Sequence, residues 1–428
     1  MALSLRSNGS RGDQFAWNGD RLAVESVCKV NGIPSWLPRA NYARTAVPGH
    51  ARRRREILHL TAMGSTKYGG LEQYFVELAR QCRARGYRLI LQYDEWPHSK
   101  RYRDDLCSAG GALLIQPLGA GRVSAAVRAI ALVARYRPRI VHFHFCDNWT
   151  RLAVGLLAHW LGVDRTLATV HLMPALGSRT LMRVSYACID RVLAVSHAVE
   201  RALSEIGVPH GVLATHYLGI PELGHLPPEA RRCVRSELSI PPTAPALVTL
   251  AFTSRLKGVD VLIDAFVDHL MERHPDLHLI IVGIPQSGCG LVSSRAERLS
   301  ERIHWAGIQD DVKPYLRAAD VYVQPSRTEG LPLAVLEAMR QSLPVVATAV
   351  GGTPELVGDD VTGLLVQPES PQELAAAISR LLDDPGLALR LAQAGHGRWR
   401  QDFQVATSVK SLLDEHCGLP LGSCSRTT

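Results

Sequence analysis

Glu329 and Glu337 stand in the stretch QPSRTEGLPLAVLE (324–337) with seven residues between them. The stretch reads as the end of a buried strand, a polar turn and the first turns of a helix. Pro332 suits the first turn, where its missing N–H is not needed, and Leu333, Leu336 and Ala338–Met339 supply the apolar face behind it. The free N–H groups of Gly330, Leu331 and Leu333 then point out of the helix start. Unpaired amides and the positive end of the helix dipole together bind anions there. Gly330 lets a phosphate oxygen approach the backbone, and Glu337, two turns on, falls about 80° around the helix axis from Glu329. The pattern suits a ligand carrying both phosphate and hydroxyl groups. Capping a first turn is the simpler role for Glu329 taken alone. Glu337 reads as functional, because it interrupts an apolar run where an uncompensated charge is costly.

Further candidates lie earlier in the chain. Gly64-Ser-Thr-Lys-Tyr-Gly69-Gly70 joins a short apolar run to a helix, but it is neither GxGxxG nor GxxxxGK[ST], so it serves a tight turn or a ligand equally well. His142, His144 and His171 stand at or near strand ends, where open α/β sheets place ligands. Histidines two apart share one strand face, yet no third ligand is evident, and packing is the better reading of His142 and His144. Nine cysteines with no CxxC pair exclude a disulfide framework and a zinc site of ordinary spacing.

The elements that must position these residues run in two series of alternating strands and helices. The first comprises EILHLTAM (56–63), RLILQYD (88–94), ALLIQPL (112–118), RIVHFHF (139–145), LATVHL (167–172) and RVLAVS (191–196). The second comprises ALVTLAFTS (246–254), HLIIVG (278–283), RIHWAG (302–307), VYVQPS (321–326), LPVVAT (343–348) and GLLV (363–366), with helices at 259–270, near 293–301 and at 371–383. Strands rich in Val, Ile and Leu that alternate with helices mean parallel sheets covered on both faces. At 428 residues the chain exceeds what one core serves. The fold class expected is therefore α/β, two doubly wound Rossmann-like domains facing each other across a cleft. The boundaries are a poorly ordered basic extension (1–54), an N-terminal domain (55–220), a proline-rich linker (221–243), a C-terminal domain (244–400) and a helix and tail (401–428) that return to the N-terminal domain.

With these pieces placed, the chain resembles the retaining glycosyltransferases of family 4, which have the GT-B fold. The resemblance rests on LKGVDVLIDAF, AADVYVQPSRTEGLPLAVLEAM, LPVVATAVGGTPELV and TGLLVQP behind, and on YGGLEQYFVELARQCRARGYRL, PRIVHFHF and DRVLAVSHAVERAL in front. It covers about residues 56–415. It implies transfer of a sugar from a nucleotide-diphosphate donor, a co-substrate rather than a cofactor, with retained anomeric configuration and no metal. By position, the resemblance has Glu337 hold ribose hydroxyls, Glu329 face the donor sugar, and the amides from Gly330 through Leu331 to Leu333 receive phosphate or sugar oxygens. Lys257 would meet the diphosphate, Gly69 and Gly70 would approach it from the front domain, and His171 would lie beside the anomeric carbon. Phe252 stands where many members carry an arginine, and Arg255, two residues before Lys257, is read equally as its substitute on the donor or as a plain surface arginine.

Charge adds the acceptor. Residues 1–220 hold 29 Lys+Arg against 15 Asp+Glu, a net of +14, and subtraction from 48 and 40 leaves 19 against 25, or −6, for the rest. A donor bound behind does not need that excess, so it is assigned to a glycan or lipid-linked acceptor and to peripheral contact with an anionic membrane through Arg101, Arg103, Arg135, Arg137 and Arg139. No nucleic-acid partner is indicated. With no apolar run of ~18 residues and no signal-peptide core, a cytoplasmic location is expected. The function expected is sugar transfer in surface polysaccharide biosynthesis. The alternatives are a catalytically silent binding protein and a sugar-nucleotide epimerase on the same scaffold.

Overall fold

The computed structural model describes residues 55–118, 122–174, 179–222, 227, 229–253, 255–285 and 301–420. The expected extension (1–54) and the expected helix near 293–301, apart from Glu301, lie outside the described residues. The first lobe holds strands β1 (Glu56–Leu60), β2 (Arg88–Tyr93), β3 (Ala112–Ile115), β4 (Ile140–His144), β5 (Arg165–Val170), β6 (Arg191–Ala194) and β7 (Leu213–Thr215). Its helices are α1 (Gly70–Ala84), α2 (Lys100–Ser108), α3 (Arg122–Tyr136), α4 (Asn148–Leu157), α5 (Arg179–Ala187) and α6 (His197–Ile206). All seven strands run parallel in the order β3-β2-β1-β4-β5-β6-β7.

The second lobe begins after α7 (Ala230–Glu237). It holds β8 (Ala246–Leu250), β9 (His278–Val282), β10 (Ile303–Gly307), β11 (Val321–Gln324), β12 (Val345–Thr348) and β13 (Leu364–Val366), parallel in the order β10-β9-β8-β11-β12-β13. Every residue of β8, β9, β11 and β12 is buried, as strands covered on both faces by helices require. Two doubly wound sheets are thus present as expected. Sequence reading missed β7, a three-residue edge strand. The helix expected over 259–270 is α-helical only at Val259–Ala265 and continues as a π-turn, Phe266–Leu270, to Arg273.

Strand order fixes where ligands can go. In each sheet the first strand is flanked by the second and fourth, so the order in which strands are added reverses between β1 and β4 and between β8 and β11. A crevice opens at the C-terminal strand ends of such a switch point. The four loops leaving those strands carry Gly69, Phe145, Lys257 and Glu329 respectively.

The lobes meet through close backbone approaches. A Cβ on Gly330 would sit 2.0 Å from the carbonyl oxygen of His171, and one on Gly70 would press Ile220 and Leu333 at 3.2 Å. Glu355 of the second lobe accepts from the first two amides of α6, those of His197 and Ala198, at 2.8 Å each, and from the Tyr217 hydroxyl at 2.7 Å. The chain crosses between lobes at Ile220 and again near Gln404, where the two passages pair. The Val405–Ser411 helix then packs on α1, and Arg85 binds the Leu419 carbonyl and Asp414.

Gly351 has φ of +52°, and a Cβ there would lie 1.7 Å from the carbonyl oxygen of Glu329. Left-handed backbone and overpacking add, so Gly351→Ala should lose about 2–4 kcal/mol. Urea unfolding checks this, and a midpoint equal to the wild type would refute the close approach.

Candidate functional site

Glu329 lies on the loop after β11 and is almost fully buried. Three donors converge on its Oε1: Lys257 Nζ at 2.6 Å, Ser326 Oγ at 2.6 Å and Gln324 Nε2 at 2.8 Å. Lys257 arrives from the loop after β8. That loop turns at Gly258, whose φ of +62° and contact with the Pro325 carbonyl leave no room for a side chain. The carboxylate is therefore oriented by Oε1, and Oε2 has no hydrogen-bonding partner among the described residues. Lys257 Nζ also lies 4.9 Å from the centre of the Phe252 ring, a cation–π contact, and that ring is half exposed. Arg255, read either as a substitute for an arginine at 252 or as a surface arginine, projects into solvent, and its carbonyl accepts from Arg327.

The helix behind the turn is Leu333–Arg340, with Pro332 extended (ψ 92°) at its N-cap. This corrects the sequence reading, in which Pro332 opened the helix and the two carboxylates shared one helical axis. Glu329 stands outside the helix, so no angular relation of that kind exists. Leu331 is buried, Gly330 presses against His171, and the amides of Gly330, Leu331 and Leu333 find no acceptor among the described residues. Glu337 is buried one turn inside, and burial raises its carboxyl pKa against the pull of Arg340 and Lys67.

Opposite stands the start of α1. The amide of Gly69 donates to Glu72 Oε2 at 3.0 Å, and Glu72 Oε1 accepts from Ser65 Oγ at 2.8 Å, so this carboxylate braces the glycine-rich turn. Gly70 faces Leu333. Two helix N-termini thus converge on one region, with Lys257 and Lys67 beside it, and the arrangement favours an anionic ligand.

His171, just beyond β5, closes a line of imidazoles. Its Nε2 meets His144 Nδ1 at 2.8 Å, and His144 Nε2 meets His59 Nδ1 at 2.9 Å. His142 Nε2 meets Thr169 Oγ1 at 2.7 Å. The sequence showed no third histidine beside His142 and His144. His59 is that third one, because β1 and β4 are neighbours with His59 in register with His142. The signal was available in EILHL, had β1 been set beside β4. Nitrogens of His59, His142 and His144 lie within 4.8 Å of one another. However, His59 and His144 already bond through their facing nitrogens, and a metal would have to break that bond. Sequence reasoning also missed Lys67, Glu72 and Phe145, whose ring stacks on His171 at 4.5 Å and 15°.

Residues 246–384 match the family model described as Glycosyl transferases group 1, and residues 68–222 match that described as Glycosyltransferase Family 4. A D-inositol 3-phosphate glycosyltransferase of Streptomyces bingchenggensis is 30% identical over 308 residues, which are 63% of this chain and 65% of that protein. The first three curated relatives are covered over only 65%, 62% and 52% of their own length. A glycosyltransferase of Rickettsia africae superposes with a TM-score of 0.73 at 18% identity, over 86% of this chain and 98% of that one. The Anabaena protein HepE, solved with UDP-glucose, superposes with a TM-score of 0.70 at 21% identity, over 85% and 99%. The two structural likenesses show the same GT-B fold.

Burial holds His59, His142 and His144 well below the usual imidazole pKa, and His171 and His216 down at about 3. All five are neutral at pH 7. Their stabilising contribution is complete above the unfolded value near 6.5, and it is lost as pH falls from there toward the folded values. The unfolded chain then binds protons that the folded one refuses, at ~1.4 kcal/mol per pH unit for each group. Urea midpoints should therefore fall steeply between pH 6.5 and 5. A midpoint that is flat over that range would show that these imidazoles are not held neutral.

Proposed function

The chain belongs to glycosyltransferase family 4, the group 1 glycosyl transferases, and on that footing we propose that it transfers a sugar from a nucleotide-diphosphate donor to a hydroxyl of a glycan or lipid-linked acceptor. The observation that carries this is the meeting of Lys257, Glu329 and the unpaired amides of Gly330 to Leu333 with Gly70 and His171 at two facing switch points. The bond from the anomeric carbon to the diphosphate breaks with its electrons on the diphosphate, and the acceptor hydroxyl oxygen takes its place as the hydroxyl proton passes to the departing diphosphate. Charge grows on the leaving group, so a lysine and amides aimed there act most in the transition state. Those fixed donors supply the neutralisation without a metal. Glu337 takes ribose hydroxyls. Glu329, held through Oε1, offers Oε2 to the donor sugar, and His171 borders the reacting carbon, with retention of configuration. In this reading the nucleotide sugar is a co-substrate, and the product joins a surface polysaccharide or glycolipid pathway.

A panel of nucleotide sugars tests the reading through thermal stabilisation and product analysis. One donor should raise the melting temperature, with ~2.7 kcal/mol expected at 100 times its dissociation constant, and should yield a transferred sugar. Glu337→Gln should weaken free nucleotide and donor alike by about 1–3 kcal/mol. Unchanged nucleotide affinity in the folded variant would remove Glu337 from the site.

The acceptor side is assigned to the first lobe. Among the described residues no helix is long and apolar enough to cross a membrane. The five arginines picked from the sequence do not share a face. Arg101 and Arg103 lie on α2, beyond the C-terminal end of β2, whereas Arg137 and Arg139 precede β4 at the opposite, N-terminal end of the strands. Arg101 pairs with Asp311, Arg139 with Asp164, and Arg103 binds the Pro97 carbonyl. A more coherent surface is the outer face of the adjacent helices α3, α4 and α5. Val127 and Arg135 are exposed on α3, Leu156 on α4, Trp160 in the turn after it, and Arg183 and Val184 on α5. We assign peripheral membrane contact to that face. Binding to anionic vesicles should be released by salt as the Debye length shrinks from ~10 Å to ~3 Å, and Trp160→Ala with Arg135→Gln should weaken it. Equal binding to neutral vesicles would refute the assignment.

A further inference from the structure

A neutral imidazole has one donor nitrogen and one acceptor nitrogen. His144 uses both, Nδ1 toward His171 Nε2 at 2.8 Å and Nε2 toward His59 Nδ1 at 2.9 Å. If His144 carries its proton on Nδ1, it donates to His171 Nε2, which places the His171 proton on Nδ1, and it accepts from a proton on His59 Nδ1. If His144 carries its proton on Nε2, it donates to His59 Nδ1, and His171 must donate from Nε2. All three rings therefore hold the same tautomer, and a change in one requires a change in all. The rings of His59 and His144 stack at 5.0 Å and 19°, and both are buried.

The last ring is fixed from its other side as well. Phe145 follows β4 with φ of +55°, a conformation that a bulky residue holds only when its surroundings impose it. That conformation lays its ring flat on His171. The carbonyl of the same His171 abuts Gly330, so ring and backbone are both tied to the floor of the cleft.

We propose that His59 and His144 are positioning residues that hold the ring of His171 and tie its tautomer to their own, so that the hydrogen-bonding character that Nδ1 of His171 presents to the sugar being transferred is set by all three rings together. The proposal rests on the reading of the cleft as a sugar-transfer site. It assigns a function to two buried histidines that touch no substrate. Partners that orient a metal-bound imidazole typically matter by ~10–100-fold when removed, and an effect of the same order is expected here.

The experiment has two arms on the full chain. In the first, nitrogen NMR of histidine-labelled protein reports the tautomer of each ring. His59, His144 and His171 should all show the same tautomer in the wild type, and His144→Leu should change the tautomer balance of His171. In the second, with the donor and acceptor found active for the wild type, His144→Leu and the milder His59→Phe should lower kcat by ~10–100-fold. The donor KM should stay within about threefold. Three wild-type rings with differing tautomers would overturn the proposal, as would an unchanged His171 signal in His144→Leu or an unchanged kcat in folded His59→Phe. Failure of the wild type to transfer any sugar would instead overturn the functional reading, with the tautomer arm still legible.

Discussion

The side chain of Glu329 is almost entirely removed from water, and its neighbours are arranged to make an ionised group tolerable there. Lys257, Ser326 and Gln324 all bond one of its oxygens. Gln324 ends β11, while Lys257 comes from the loop after β8, so this single carboxylate ties together the two strands that flank the switch point. Removing one partner from such a buried pair typically costs about 3–5 kcal/mol. The glycines follow from the same constraint. Gly258 lets the lysine loop pass under Pro325, and Gly351 lets a neighbouring turn lie directly on the Glu329 carbonyl. The local fold and the electrostatics of the cleft are therefore one arrangement.

Much of this was legible in the sequence, and what was not has physical causes. Alternating apolar runs and helical periods identify both sheets, because strands buried on two faces must be almost wholly apolar. Glu337 stood out as a charge in an apolar run. Glu329 was placed on the helix because Gly-Leu-Pro-Leu is compatible with either a first turn or an extended approach, and only packing against His171 and Gly351 selects the second. The histidine line was half visible. His142 and His144 are two apart, but His59 lies 85 residues from its partner His144, and a register between neighbouring parallel strands leaves no trace in local pattern. Strand β7 is too short to carry a period of its own.

The charge asymmetry of the chain is real, but it overstates the positive surface. Several arginines serve inside the fold. Arg151 is buried, binds the Cys146 carbonyl and Ser185, and stacks on Tyr186 with its guanidinium 3.9 Å from the ring centre. Arg235 gathers the carbonyls of Ala244, Pro241, Pro242 and Ala318 together with Asp320, and so ties the linker to the second sheet. A guanidinium can collect several carbonyls at once because its five donors are fixed in a plane. Arg151 is thereby subtracted from the positive surface of residues 1–220, whereas Arg235 belongs to the remainder of the chain.

The carboxylate of Glu355 joins the lobes by occupying the start of α6, where it meets two amides and the Tyr217 hydroxyl. All of these groups find water when separated, so each bond to the carboxylate nets only about 1.5–3 kcal/mol. Such a contact behaves as a detent. On the proposed sugar-transfer reading it defines a resting closure that is released when the lobes part, and lobe motions of that kind run on the microsecond-to-millisecond scale. The turn that leads to Glu355, through Gly351 and Gly352, presses on the carbonyls of Glu329 and Gly330, so the contact that joins the lobes and the floor of the cleft are linked through one short stretch of chain.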